Sequence, residues 1–287
     1  MKWGILLSFA ALAASWAART SAADEQGPPY ETFTIESPAL KETRRINVYK
    51  PPGYAATERR RYPVLYMLDG GVQEDFPHVA TDVDAAIRGA KMRPIFIVGI
   101  ENIERRRDTT GPTEVQTDRQ IAPRVGGAAA FRAFIAHELI PRVRRRYRVT
   151  EEKGIIGESL AGLFIVETFF MEPELFDTYI ALSPSLWWNR EELVRKAAGR
   201  LKARPQLRAA LYLASADEDN IAPAAARLAE ALRGTAPAGL RWQYEPRPDL
   251  HHDNIYRTLS PQVLRTWFAS TSKKRNEPAA KQHQRWN

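Results

Sequence analysis

Three short stretches carry side chains that together could cleave an ester. Gly157-Glu158-Ser159-Leu160-Ala161-Gly162 follows an apolar run and sets a serine among small residues. A serine on a tight strand-to-helix turn has its hydroxyl pushed clear of the backbone, and small residues two places before and after it relieve the crowding. Gly157 meets the first need; Ala161 stands at the second, with Gly162 behind it. A serine in this place could also do no more than cap the helix that follows. As a nucleophile, Ser159 needs a base and a group to orient that base. In this turn type the chain order is serine, acid, histidine. Of the five histidines, His78 and His137 precede Ser159 and His283 lies near the C-terminus, which leaves the neighbours His251 and His252. The acid belongs after the preceding strand, where Asp217-Glu218-Asp219 stand. Asp219 is the expected partner, because Asn220-Ile221-Ala222-Pro223 then opens a helix; Asp217 and Glu218 are its alternates. The oxyanion would be held by backbone amides: that of Leu160, and one from Asp69-Gly70-Gly71, where Gly70 or Gly71 lets the backbone approach a substrate closely.

The surrounding pattern supplies elements to hold these residues. Residues 33–37 and 45–49 alternate as two strands do, and Pro51-Pro52-Gly53 ends the second. Residues 62–68 and 94–100 are continuous apolar runs, as expected of strands buried on both faces. Further strands are expected at 153–156, 178–182, 209–215 and 240–245. Helices are expected at 81–91, 131–147, 160–170, 191–203, 223–233 and 260–270, the second on the apolar spacing Phe131, Phe134, Ile135, Leu139, Val143, Tyr147. Between them, 101–129 reads as a long polar loop, which in compact domains is commonly functional. Alternating strands and helices predict an α/β fold: a mostly parallel sheet covered by helices on both faces, with an antiparallel N-terminal edge. Sites in such sheets gather beyond the C-terminal strand ends, where all three stretches fall.

The chain has 287 residues, 44% hydrophobic and 26% charged, with a net charge of +8 and no cysteine. That balance suits an ordinary globular domain, and the lack of cysteine excludes a thiol nucleophile or a thiolate metal site. Residues 1–23 have the form of a signal peptide: Lys2, an apolar stretch too short to span a bilayer, then Ser21-Ala22-Ala23 as a cleavage site. The mature chain would start near Asp24, carry no membrane span, and be periplasmic or secreted. Residues 24–271 would be the folded domain and 272–287 a polar tail. The Arg runs at 59–61, 105–107 and 144–146 fall in separate segments, so no nucleic-acid surface is expected; a small anionic substrate suits the basic balance better.

At this point the residues resemble a known family. FTIESPALKETRRINVYKPPGY, YPVLYMLDGG, FIVGIENIERRRDTTGPT, IIGESLAGLFIVETFFMEPELFDTYIALSPSLWWN and HHDNIYRTLSPQVLRTWF are similar to the esterase family of α/β-hydrolases. That family includes enterochelin-type (siderophore trilactone) esterases, esterase D-like enzymes and mycolyltransferase-like acyltransferases. The likeness runs over residues 30–268. It implies an α/β-hydrolase fold, a serine esterase activity and no metal or cofactor. In the family the elbow usually reads G-H-S-x-G-G, so Glu158 and Ala161 are departures. The closing pattern, a histidine followed shortly by a β-branched residue, fits His252-Asp253-Asn254-Ile255 and makes His252 the base. The stretch with Asn102, Arg107 and Asp108-Thr109-Thr110 is similar to the family's pocket wall, which implies a substrate contact at Arg107. Trp187 and Trp188 are expected to add an aromatic wall.

The resulting expectation is an exported serine esterase acting on a small-molecule ester, a siderophore trilactone foremost. An acyltransferase, or an acetyl or feruloyl carbohydrate esterase, would use the same residues. An exported binding protein would need only the scaffold.

Overall fold

The computed structural model describes residues 27–270. The expected signal peptide (1–23) and tail (272–287) lie outside the described residues. Eight strands form one sheet: β1 (Tyr30–Ser37), β2 (Glu42–Tyr49), β3 (Tyr62–Met67), β4 (Phe96–Ile100), β5 (Val149–Glu158), β6 (Thr178–Leu182), β7 (Ala209–Ala216) and β8 (Leu240–Arg247). Their order is β1-β2-β4-β3-β5-β6-β7-β8. β1 pairs antiparallel with β2, and β2 with β4; every later pairing is parallel. This is the α/β-hydrolase fold with its antiparallel N-terminal edge.

Hydropathy explains which strands sit where. β3, β4 and β6 are buried along their whole length, as their unbroken apolar sequences require of strands covered on both faces. β1 alternates buried and open positions, as an edge strand does. The helices are α1 (Phe76–Arg88), α2 (Arg105–Asp108), α3 (Gln116–Arg119), α4 (Ala128–Phe134), α5 (Ile140–Arg146), α6 (Leu160–Met171), α7 (Trp188–Lys202), α8 (Ala222–Thr235) and α9 (Ile255–Trp267). The apolar faces of α1 and α9 fill the core on one side of the sheet; α4 to α8 fill the other. α6 is buried at every residue except Met171, so it forms the centre of that second layer. Its buried acid, Glu167, is matched by Arg132 of α4, which also reaches Thr168.

Several elements differ from expectation, beginning with the helix expected at 81–91, which runs Phe76–Arg88. The 131–147 helix begins earlier and contains a π turn, Ile135–Leu139, between α4 and α5. Pro141 lacks the N–H that would bond to His137 and its ring crowds that carbonyl, which a wider turn relieves. The 101–129 segment is partly ordered by α2 and α3. The last helix starts at Ile255 rather than Ser260, and Pro261 lies within it. Among the described residues no helix is long and apolar enough to cross a membrane.

Candidate active site

Ser159 sits between β5 and α6 with φ 60° and ψ −120°. A side chain in that region costs on the order of 1–3 kcal/mol, so the surrounding packing must impose it. The neighbours show how. The Ser159 amide donates to Leu182 of β6, and the Ser159 carbonyl accepts from Ser185. A Cβ on Gly157 would lie 2.8 Å from the Ala161 Cβ, and one on Gly162 would lie 3.0 Å from Pro184 Cα. Alanine is therefore accommodated at 161 because residue 157 has no side chain, and the second glycine is needed at 162, where α6 presses on the Ser183-Pro184-Ser185 loop. The Ser159 Oγ lies 3.3 Å from the Ser185 Oγ.

His252 follows β8, in the turn that opens α9. The loop is fixed by His251, whose amide donates to the Asn254 side chain and whose carbonyl accepts the Asn254 and Ile255 amides. The carboxylate that meets the imidazole is Glu218, with Oε2 2.6 Å from His252 Nδ1. Asp219, expected in that place, is exposed and forms no ion pair with the ring. Two contacts explain the difference. The Asp217 amide bonds to the Leu250 carbonyl, which ties the end of β7 to the His252 loop. The Ser183 hydroxyl then donates to Glu218 Oε1 at 2.6 Å and accepts from the Ala216 amide at 3.1 Å. Glu218 is thus gripped at both oxygens and turned inward, while its successor points to water. The hydrogen bond to Glu218 raises the pKa of His252, and the charges of Glu218 and Glu158 reinforce it against the opposing effect of burial.

Ser159, Leu160, Ser185, Trp187, Glu218 and His252 line one open pocket of about 350 Å³, with Arg105 and Arg106 as its basic wall and Ile121 beside them. Several expected contacts are corrected. Arg107 turns away from this pocket, to Glu42 and Asp108. Consecutive residues of α2 point in different directions, so of three arginines in a row only Arg105 and Arg106 face the serine. Trp187 lines the pocket, but Trp188 is buried and donates its indole N–H to the Gly111 carbonyl. The Gly70 amide is taken by Ile100 and the Gly71 amide by Glu74 Oε2. A Cβ on Gly70 would meet Gly99 Cα at 2.4 Å, so this glycine serves close contact with β4 and not with a substrate. The Leu160 amide, at the first position of α6, has no partner among the loop and turn hydrogen bonds of the described residues, as expected at a helix N-terminus.

Behind the serine lies a charged cluster. Asp69 accepts from Asn102 and from both Nε and Nη2 of Arg105, and Arg105 also donates to the Glu158 carbonyl. Burial pushes the pKa of the Glu158 carboxyl up to about 7. Among the described residues no group of three or more His, Asp or Glu side chains is arranged to hold a metal ion.

The profile of the family described as "Putative esterase" matches residues 37–245. The chain belongs to this esterase family. Among its relatives, "Ferri-bacillibactin esterase BesA" of Bacillus subtilis (strain 168) is 34% identical over 155 residues, 47% of this chain and 52% of the relative. "Siderophore enterobactin esterase" of Emericella nidulans is 39% identical over 75 residues, 25% of each chain. The chain therefore spans about half or less of the length of these relatives. Among solved structures, an IroE-like serine hydrolase from Shewanella oneidensis matches with a TM-score of 0.74 and 27% identity, over 84% of this esterase-family chain and 80% of that one.

Proposed function

We propose that the protein is an exported serine esterase that opens a siderophore trilactone by way of an acyl-serine. The observation that carries this reading is the convergence of a strained Ser159, a carboxylate-held His252 and a basic wall on one pocket. With Nδ1 engaged by Glu218, Nε2 is the ring nitrogen left to serve the serine. As an ester binds, the Ser159 hydroxyl leaves Ser185, gives its proton to Nε2 and attacks the carbonyl carbon. The Leu160 amide donates to the oxygen that becomes negative. The imidazolium, stabilised by Glu218, returns the proton to the leaving alkoxide; water then repeats the sequence and frees the acid.

The substrate class rests on the activities for which the relatives are named and on the wall. Arg105 is committed to Asp69, but Arg106 spends one N–H on the Ile121 carbonyl and keeps the rest for a ligand. A guanidinium in that position suits a catecholate or another anionic acyl group. The test is a panel of iron-loaded and iron-free catecholate trilactone, a short p-nitrophenyl ester and a feruloylated sugar, with Ser159→Ala as control. Trilactone turnover well above the others is expected, with turnover and fluorophosphonate labelling both abolished by Ser159→Ala. Labelling that survives this change would overturn the serine mechanism. Preference for the simple ester would overturn the siderophore assignment.

A further inference from the structure

Glu158 lies between Gly157 and Ser159, and the mechanism above makes no use of it. Its Oε1 is shielded from solvent and has no hydrogen-bond partner. An orphaned carboxylate oxygen beside a reacting serine calls for a reason, since burying a charge without a partner is costly. The charged and titratable groups whose charges act on it or share its surroundings come from five segments. Asp69 follows β3, Asp75 precedes α1, Arg105 opens α2 and His252 follows β8. Tyr256 of α9 is the fifth; its buried hydroxyl also lacks a partner and has Asp75, Asp69 and Glu158 as its charged neighbours. Arg105 is held by Asp69 and meets Glu158 only at the backbone carbonyl. Asp75 is paired with Arg257. Among the described residues no cation is therefore hydrogen-bonded to the Glu158 carboxylate; the positive charges that act on it are His252 first and Arg105 after it, and Arg105 is already held by Asp69. The imidazolium and the carboxylate each favour the other's charged form.

We propose that Glu158 is a positioning residue that acts on the reaction through His252: when ionised, it stabilises the imidazolium, which holds the base back at low pH and assists the step in which it takes the serine proton. This rests on the serine-esterase reading above. Removing the charge has two effects of opposite sign. The free imidazole becomes available at lower pH, and the imidazolium formed during attack loses support. A role in packing alone would lower the rate equally at every pH.

The experiment is a pH profile of kcat/KM for a p-nitrophenyl ester with the full chain and its Glu158→Gln variant. Fluorophosphonate labelling of Ser159 is followed in parallel at the alkaline plateau. The acid-side inflection of the variant is expected to fall by about half a pH unit or more, with a plateau several-fold lower, so the profiles converge at acid pH. An inflection that stays in place, or rises, overturns the proposal. If the unmodified chain takes no label at Ser159, the serine-esterase reading itself falls; label with an unmoved inflection removes only the part assigned to Glu158. A second measurement needs no variant. NMR of the His252 ring in the unmodified chain should show a titration in two steps, and a single simple step overturns the coupling.

Discussion

The pairing of His252 with Glu218 makes the pH dependence of the reaction predictable. In the proposed mechanism the base works only when neutral, and the proton of His252 is held beyond the ordinary histidine value of about 6.5 by the Glu218 hydrogen bond. Activity should therefore rise through a pH above that value. Glu218→Gln removes the charge and replaces one acceptor oxygen by an NH2 donor, so its inflection should move down in pH while kcat falls roughly 10³-fold, in line with loss of the orienting acid elsewhere. Asp219→Asn should leave both within about twofold. Steady-state profiles of the two variants separate them, and the reverse ranking would restore Asp219 to the role. The sequence could not make this choice, because three acids in a row differ only in the direction their loop gives them. That direction is set by Ser183 and by the Asp217–Leu250 backbone bond. Ser183 and Ser185 were visible in the quoted SPS segment, but nothing local tells a strand-end serine from one that braces a carboxylate. That Ser159 and His252 meet at one pocket is foreshadowed by the sequence, because a small-residue elbow and a fixed chain order single them out before any tertiary contact is known.

α6 stands or falls with the match between Arg132 and Glu167. Both are nearly buried, with side chains 6% and 10% exposed. Arg132→Leu keeps the bulk and strands the acid, so it should cost about 3–5 kcal/mol in chemical denaturation. The double change with Glu167→Leu should recover most of that loss, because two apolar side chains leave no charge uncompensated. A double variant as unstable as the single one would refute this account. Elements of this kind were read well where the pattern is uniform. β6 is an apolar run that stops at Ser183-Pro184 and matches its expected bounds. Boundaries failed where backbone geometry departs from the rule. The helix expected at 191–203 begins at Trp188 in the structure, with Asn189, Arg190 and Glu191 taking left-handed angles just inside α7. The helix expected at 260–270 begins five residues earlier, at Ile255, and accepts Pro261 in mid-course. The polar 101–129 stretch carries no apolar period, so α2 and α3 had no signal; the buried pairing of Arg44 with Asp108 holds that wall in place instead.

The chain as a whole has no cysteine, and its stability rests on two apolar layers, one on each side of the sheet. Such a protein can fold without oxidation, which suits it to export by either folded or unfolded routes. The proposed export predicts that the form recovered outside the cytoplasm begins at or near Asp24, with 40 basic against 34 acidic residues. N-terminal sequencing of the secreted or periplasmic fraction checks this, and an intact Met1 there would refute it. The contact of Gly70 with Gly99 has one more consequence. A Cβ on either residue would drive into the backbone of the other, at 2.4 Å and 2.5 Å. Two main chains thus abut with no side chain between them to yield, and the ground beneath the pocket is as stiff as the sheet itself. Adaptation to ligands of different size must then come from the arginine-bearing rim above it, so new specificities should evolve by changes at 104–124 while the segment from Asp69 to Gly71 stays fixed.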